Sequence, residues 1–442
     1  MMQTLIKMPA DVDYIITTLM DNGFEAYIVG GCVRDSILNK KPKDWDITTK
    51  AKPEDVIKLF DKVVLTGLKH GTVTVIINKE SYEVTTYRID GEYEDNRHPK
   101  EVKFVNSLKE DLSRRDFTIN AMAYNERDGL IDYFEGMKDL EKKIIKTVGD
   151  PEKRFSEDAL RMLRAIRFSA QLSFSIDEHI LCSIGKLKNH IMNISKERIR
   201  EEFNKILLYN PTKIENLKEC GLLDFIIPGI SATYNKNQNN PYHIYDLYNH
   251  IILSTNSIEP LLHLRLTMLL HDLGKINVET IDEKNISHFY GHAEESVKIS
   301  EKILKSLKYD NDTVNKVLTL VKYHDCTLKS KLSIKRMLNK IGEDLFRDLI
   351  KVKKADILAQ NPIYSEERLI NLINVEDKLN IILAENECFM LKDLKINGRD
   401  LISLGYDKGK EIGETLQYLL NLVIENPELN DREKLINIVK KN

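Results

Sequence analysis

Hydrophobic and polar positions follow two rhythms along this chain of 442 residues. Over residues 1–150, short β-branched or aromatic runs alternate with turn-like strings. Val73-Thr74-Val75-Ile76-Ile77 and Tyr82-Glu83-Val84-Thr85-Thr86-Tyr87 flank Asn78-Lys79-Glu80-Ser81, which predicts a hairpin. Ala26-Tyr27-Ile28-Val29 predicts a strand running into Gly30-Gly31 and then a helix, and Asp44 to Thr48 predicts a third strand. Asp150-Pro151 marks a boundary. Beyond it, Leu160, Leu163, Ala165, Ile166 and Phe168 recur at helical spacing. A polar stretch from Asn235 to Asn240, followed by Pro241, separates these helices from a histidine-rich helical region. The pattern predicts an α+β head followed by an all-helical remainder.

Composition narrows the class. At 42% hydrophobic and 31% charged, the chain can bury sizeable cores and is not disordered. Its length suggests about three domains. Cys32, Cys182, Cys220, Cys326 and Cys388 lie far apart, which fits a reducing cytoplasm rather than a disulfide framework or zinc ribbon. Lys7, Asp11 and Asp13 interrupt the N-terminal apolar residues, so no signal peptide is expected there, and no run is long enough for a membrane span. The net charge of -3 argues against a polybasic protein, but the charge is segregated. Residues 161–200 carry +5 and residues 322–354 carry +6, against -4 over residues 1–150. Such basic stretches can steer RNA, although a solvated helix face reads the same way.

Three strings carry candidate chemistry. In Asp44-Trp45-Asp46, extended backbone puts both carboxylates on one face and Trp45 on the other. Two convergent carboxylates suit Mg²⁺, which completes its shell with water and substrate phosphates. Alone, the string also describes surface charge. Upstream, Gly30-Gly31-Cys32-Val33-Arg34-Asp35 sets two glycines where a strand meets a helix, a place for a phosphate to approach backbone. In Arg114-Arg115-Asp116-Phe117-Thr118-Ile119-Asn120-Ala121-Met122, the guanidinium groups could bind a triphosphate and Asp116 a ribose hydroxyl; a helix-capping Arg–Asp cluster is the plainer reading. In Glu157-Asp158-Ala159-Leu160-Arg161-Met162-Leu163-Arg164-Ala165-Ile166-Arg167-Phe168, Asp158 and Arg161 are expected three apart on one helix, with Arg164 a turn further. The plainer reading is an intrahelical ion pair. The sharper one is a fixed acceptor beside a fixed donor. Cytosine and adenine each offer an amino donor next to a ring-nitrogen acceptor, and uracil and guanine offer the reverse. A mismatched edge would leave buried polar groups unpaired.

These strings, in this order, resemble the bacterial class II tRNA nucleotidyltransferases, the CCA-adding enzymes, and their relatives the poly(A) polymerases. The likeness covers roughly residues 20–225, and Ile396-Asn397-Gly398-Arg399-Asp400-Leu401 resembles a family segment in the tail. The resemblance implies a polymerase-β-like nucleotidyltransferase head with a mixed sheet, followed by an all-helical neck, an HD body and a tail. The corresponding boundaries are 1–150, 151–230, 231–370 and 371–442. It further implies Asp44 and Asp46 as catalytic Mg²⁺ ligands, and Gly31, Arg34 and Arg115 as nucleotide contacts. Asp158 and Arg161 become the base-selecting pair, with Arg164 and Arg167 as further contacts. The string from Arg88 to Pro99 resembles the family's flexible loop, whose presence favours addition of the final A. The expected substrates are CTP, ATP and tRNA, with no membrane partner. A-only addition or poly(A) synthesis stays open as the alternative.

Seven of the eleven histidines fall between residues 243 and 324. His271-Asp272 is followed by Gly274-Lys275, with His250 before it and Asp356 after it. That order resembles the HD phosphohydrolase superfamily, and His292 and His324 match the extra histidines of its two-metal members. Imidazoles with carboxylates suit Mn²⁺, Ni²⁺, Fe or Zn²⁺. His288 stands as a competing ligand, scattered core or surface histidines are the plainer reading, and a phosphohydrolase acting on RNA ends is a second possible activity.

Overall fold

The computed structural model describes residues 6–91, 102–407 and 409–441. Residues 92–99 of the Arg88–Pro99 string therefore lie outside the described residues. The chain divides into two compact units, Met1–Pro228 and Gly229–Asn442.

The first unit is built on a mixed seven-stranded sheet. Its strands are β1 (Ala26–Val29), β2 (Ile47–Thr49), β3 (Val63–Gly67), β4 (Thr72–Ile77), β5 (Glu80–Thr86), β6 (Met122–Asn125) and β7 (Gly129–Asp132), in the order β3-β4-β5-β2-β1-β6-β7. β2 pairs in parallel with β5, and every other neighbour is antiparallel. The predicted hairpin is β4–β5, in register Val73↔Val84 and Val75↔Tyr82. Its turn is tighter than the sequence suggested: Asn78 and Lys79 alone close it, at φ 50° and 72°. Positive φ at both central residues gives the twist that hairpin strands need.

Central β1 is buried along its whole length, as its unbroken apolar run demands. It leads through Gly30, at φ 84°, into the helix Gly31–Ile37. The third predicted strand is shorter than expected, covering only Ile47–Thr49. Asp44 and Asp46 lie in the extended lead-in, although the Asp46 carbonyl already accepts from Val29 N at 3.0 Å. The apolar and threonine residues are buried in the sheet, whereas the carboxylates stay exposed.

Two short strand pairs, Arg88–Asp90 with Val102–Phe104 and Ile144–Ile145 with Ser175–Ile176, and a set of helices complete this unit. Of these, α1 (Pro151–Glu157), α2 (Leu160–Leu172) and α3 (Lys196–Tyr209) carry the site residues. Asp150 caps α1 by accepting from Lys153 N at 3.1 Å, and Pro151 takes the first helical position, where its missing N–H costs nothing.

In the second unit, α4 (Leu247–Asn256), α5 (Leu262–Leu270), α6 (His292–Ser306), α7 (Asn311–Tyr323), α8 (Lys331–Leu358) and α9 (Pro362–Ala384) surround the histidines. Leu264, Met268, Leu320, Phe346, Leu349, Val352 and Leu379 form its main core. A separate cluster, including Leu401, Leu419, Leu420 and Val423, closes the C-terminal helices. Among the described residues no helix is long and apolar enough to cross a membrane.

Candidate functional site

Sequence and structure part company first at the Glu157–Phe168 string. It is not one helix. Asp158 adopts extended backbone, φ −137° and ψ 105°, between α1 and α2. Its Oδ1 accepts from Leu160 N at 3.0 Å, so the side chain takes over the role of a helix carbonyl and starts α2. Asp158 and Arg161 do not pair with each other. Asp158 Oδ2 lies 3.3 Å from Arg198 on α3, while Arg161 Nη1 donates to Glu157 at 2.7 Å and Nη2 to the Arg114 carbonyl at 3.1 Å. Glu157 is itself held by Arg154 at 2.9 Å. Acceptor and donor are therefore tethered separately. Both line one pocket of about 270 Å³ with Arg114, Arg115, Asp116, Arg164 and Arg198.

Asp116 has no capacity left for a ribose. Its Oδ1 accepts from Phe117 N at 2.8 Å and Asn120 at 3.1 Å, and Oδ2 takes Arg164 Nε and Nη2 at 2.8 and 2.6 Å. Burial would raise this carboxyl, but Arg164 outweighs it and holds it at about 2. Asp116 therefore aims Arg164 into the pocket. Arg167, expected as a nucleotide contact, is instead buried: Nε binds Glu202 at 2.9 Å, Nη1 binds Gln171 at 2.7 Å, and the guanidinium lies 3.5 Å from the Phe168 ring centre. It fastens α2 to α3. Arg34 is likewise committed, to Asn120 at 2.6 Å and Asp35 at 2.8 Å.

Arg115 joins this pocket to the carboxylate pair. It lines the pocket and lies in the field of Asp46. Although solvent reaches the residue, the protein packed around the Asp46 carboxyl strips part of its hydration and, with the charge of Asp44, pushes it above its ordinary value, against the pull of Arg115. A pair of hard oxygen donors under mutual repulsion fits a divalent cation. Gly30 makes room for this junction. A Cβ there would sit 2.7 Å from Arg115 Nη1, and its φ of 84° disfavours any other residue.

In the second unit, all six expected residues converge. His250, His271, Asp272 and Asp356 form one group, and Asp272, His292 and His324 form another. Close packing of backbone brings α6 in: a Cβ on Gly274 would lie 2.3 Å from the His292 carbonyl. The ring hydrogen bonds fix the chemistry. Each Nδ1 faces a backbone carbonyl: Ala359 for His250 at 3.1 Å, Met268 for His271 at 2.7 Å, Phe289 for His292 at 2.8 Å and Val321 for His324 at 2.7 Å. Carbonyls accept only, so Nδ1 carries the proton and a neutral ring presents a bare Nε2. Those lone pairs face one another, 3.3 Å apart for His250 and His271 and 3.1 Å for His292 and His324. Asp272 Oδ2 is 3.2 Å from His250 Nε2, and Oδ1 is 3.4 Å from His292 Nε2. Oδ1 is also buried without a hydrogen-bond donor. Acceptors packed against acceptors call for positive charge. Asp272 and Asp356 draw a proton onto His271, lifting it to about 10 although burial alone would lower it, and a cation bound at Nε2 would take that proton's place.

His288 stands apart from this cluster, 3.0 Å from Asp282. Lys275 belongs to it, forming an ion pair with Asp272 at 2.7 Å and donating to Gln238 at 2.9 Å. Glu157 stands four residues before Arg161 on a helical pattern, a spacing that marks it as a partner. Arg198 and Glu202 carry no such signal, because they arrive from a distant segment.

Residues 26–146 match the profile of the poly A polymerase head domain, residues 173–233 that described as "Probable RNA and SrmB- binding site of polymerase A", and residues 282–439 that of tRNA nucleotidyltransferase domain 2. A CCA-adding enzyme of Limosilactobacillus reuteri is 36% identical over 428 residues, 96% of this chain and 95% of its own. One from Oceanobacillus iheyensis is 53% identical over 192 residues, 43% of this chain. That alignment covers 48% of the relative, so the match spans about half its length. The fold is similar to that of the Bacillus stearothermophilus CCA-adding enzyme in complex with CTP, at 28% identity, TM-score 0.72 and 97% of each chain. The Thermotoga maritima CCA-adding enzyme complexed with tRNA shares the fold at 21% identity and TM-score 0.61, over 99% of this chain and 97% of its own.

Proposed function

The chain belongs to the family of CCA-adding enzymes, and from that premise we propose that it builds the 3′-CCA of tRNA from CTP and ATP without a nucleic-acid template. The observation that carries this reading is the pocket in which Asp158 offers an acceptor and Arg161 a donor, each held by its own partner. Cytosine and adenine match that edge, whereas uracil and guanine set donor against donor and acceptor against acceptor. Arg164, aimed by Asp116, and Arg115 hold the triphosphate. Gly31 opens the helix where backbone N–H groups favour a phosphate. The tRNA 3′-hydroxyl attacks the α-phosphate and pyrophosphate leaves. Asp44 and Asp46 would hold divalent metal, Mg²⁺ by their hard oxygens; when bound it neutralises the charge developing on the phosphates. The A-form acceptor arm is gripped through shape and phosphates. The five cysteines are all free thiols, in keeping with the cytoplasm.

Labelled CTP and labelled ATP offered to tRNA lacking CCA, with product length as readout, test the reading. CTP use followed by a single A supports it. ATP use alone means an A-adding enzyme or poly(A) polymerase, and incorporation surviving Asp44→Ala refutes the assigned carboxylates.

The second unit supports a second activity. Its bare Nε2 atoms and the orphaned Asp272 Oδ1 favour a two-metal site held by His250, His271, Asp272 and Asp356 on one side and Asp272, His292 and His324 on the other. Imidazole-rich donors favour Mn²⁺, Ni²⁺, Fe or Zn²⁺, which when bound supply a hydroxide nucleophile for phosphoester hydrolysis. Metal-dependent phosphate release that persists in Asp46→Ala and is lost in His271→Ala tests this assignment.

A further inference from the structure

Asn120 is buried where three segments of the first unit meet, and its side chain is engaged at both ends. It closes a short 3₁₀ turn, Thr118–Asn120, just ahead of β6. Its backbone carbonyl faces the Gly30 turn, where a Cβ would lie 3.8 Å from that oxygen. Its amide oxygen accepts from Arg34 Nη1 at 2.6 Å, and its amide nitrogen donates to Asp116 Oδ1 at 3.1 Å. The neighbours fix that orientation, because a guanidinium only donates and an ionised carboxylate only accepts. Asparagine meets both demands with one short side chain, whereas aspartate would set acceptor against acceptor.

On either side of Asn120 the polar chain runs on to a different part of the site. Arg34 stands on the helix Gly31–Ile37, which opens at the glycine turn, and Asp35 braces it at 2.7 Å. Asp116 takes Arg164 of α2 at 2.6 Å. Arg34 and Arg164 also lie over one aromatic ring, 5.1 and 5.4 Å from the centre of Phe168. The series Asp35, Arg34, Asn120, Asp116, Arg164 therefore ties the glycine turn of the head to the first turns of α2. It bypasses Asp158 and Arg161, which Arg198 and Glu157 hold instead.

We propose that Asn120 is a positioning residue that registers Arg164 against the glycine turn at Gly31, and so sets the affinity for the triphosphate of CTP and ATP alike while leaving the choice of base untouched. The assignment rests on the nucleotidyltransferase reading of this site. Replacing Asn120 by aspartate places a carboxyl between Arg34 and the Asp116 carboxylate, with Arg164 behind Asp116 and Arg115 at the Gly30 turn. Two adjacent carboxyls hold one proton more tightly than either does alone. Once protonated, the introduced group again donates to Asp116 and accepts from Arg34, as the amide does. Acid should therefore repair this one variant, which damage to packing alone would not allow.

The test is equilibrium dialysis of the full chain against labelled CTP, ATP or UTP, with Mg²⁺ and without tRNA, so that binding is read apart from turnover. At about pH 8, Asn120→Asp should raise the Kd for CTP and for ATP by the same factor, about tenfold, the loss of one hydrogen bond to a charged group. At about pH 5.5 the gap from the native chain should narrow to about twofold. The ratio of Kd for UTP over CTP should stay within about twofold of native throughout, because the base-selecting pair is held separately. Asn120→Ser, too short to reach both partners, should weaken CTP and ATP equally with no repair by acid, and it decides the matter if the introduced carboxyl prevents folding. Native affinities in the variants, unequal losses for CTP and ATP, or a loss in Asn120→Asp that acid leaves unchanged overturns the role of Asn120 and leaves the nucleotidyltransferase reading intact. A native chain that binds neither CTP nor ATP overturns both.

Discussion

Replacing Asp116 by asparagine keeps the shape of the side chain and removes the charge that fixes Arg164. In the native fold Asp116 is 9% exposed, its carboxylate accepts from Arg164 Nε and Nη2, and it sits at about 2 rather than its ordinary 3.8. A depressed carboxyl contributes stability that is present above the unfolded value and lost as pH falls through the folded one. A drop of that size corresponds to about 2 kcal/mol at pH 7 and to about half of that at pH 3. The chain carries one tryptophan, Trp45, inside the first unit, so its fluorescence follows the unfolding of that unit alone. Urea titrations should show Asp116→Asn less stable than the native chain by about 2–3 kcal/mol at pH 7, with the gap halved at pH 3. Incorporation of CTP should weaken alongside, mainly through KM, because Arg164 no longer points at the triphosphate. A stability gap under about 0.5 kcal/mol at pH 7, or one that is the same at both pH values, would show that the pair is not the anchor described here.

Asp46→Asn should abolish incorporation of both nucleotides yet make the first unit slightly more stable at pH 7, since its folded carboxyl is raised by lost hydration and by Asp44; the gain should fade as pH falls, as read by Trp45 fluorescence. Arg198→Ala frees Asp158, and the ratio of kcat/KM for CTP over UTP should drop about tenfold, the worth of one charge-assisted hydrogen bond. Asp272→Asn should strip metal from the second unit while His288→Ala retains it, measured as metal per chain by plasma mass spectrometry after dialysis.

What the sequence made legible, and what it hid, divides along distance in the chain. Asp44 and Asp46 are legible as a pair because they are contiguous in the chain, just ahead of the strand that begins at Ile47, and the metal role given to them is the proposal above. The six-residue His–Asp set was visible as an ordered series, since each member sits at a helix end or in a helix whose pattern is plain. The break at Asp158 was not: Glu157 to Phe168 has unbroken helical periodicity, and the competition from the Asp158 side chain for Leu160 N shows only in three dimensions. The same holds for Arg167. On the helix it looks like another cationic contact, and only the arrival of Glu202 from thirty-five residues onward turns it inward. Asp116 misled for a related reason. A carboxylate beside two arginines suggests a partner next door, whereas Arg164, forty-eight residues away, claims it.

Asp272 lends one oxygen to each imidazole group. On the two-metal reading proposed above, whichever ion binds first would fix the rotation of that carboxylate and so prepare the oxygen for the second. The two affinities are linked through this single side chain, and linkage of that kind is reciprocal. Occupancy should then rise with metal concentration more steeply than for independent sites. A protein built on that reading would respond to metal supply more as a threshold than as a gradient.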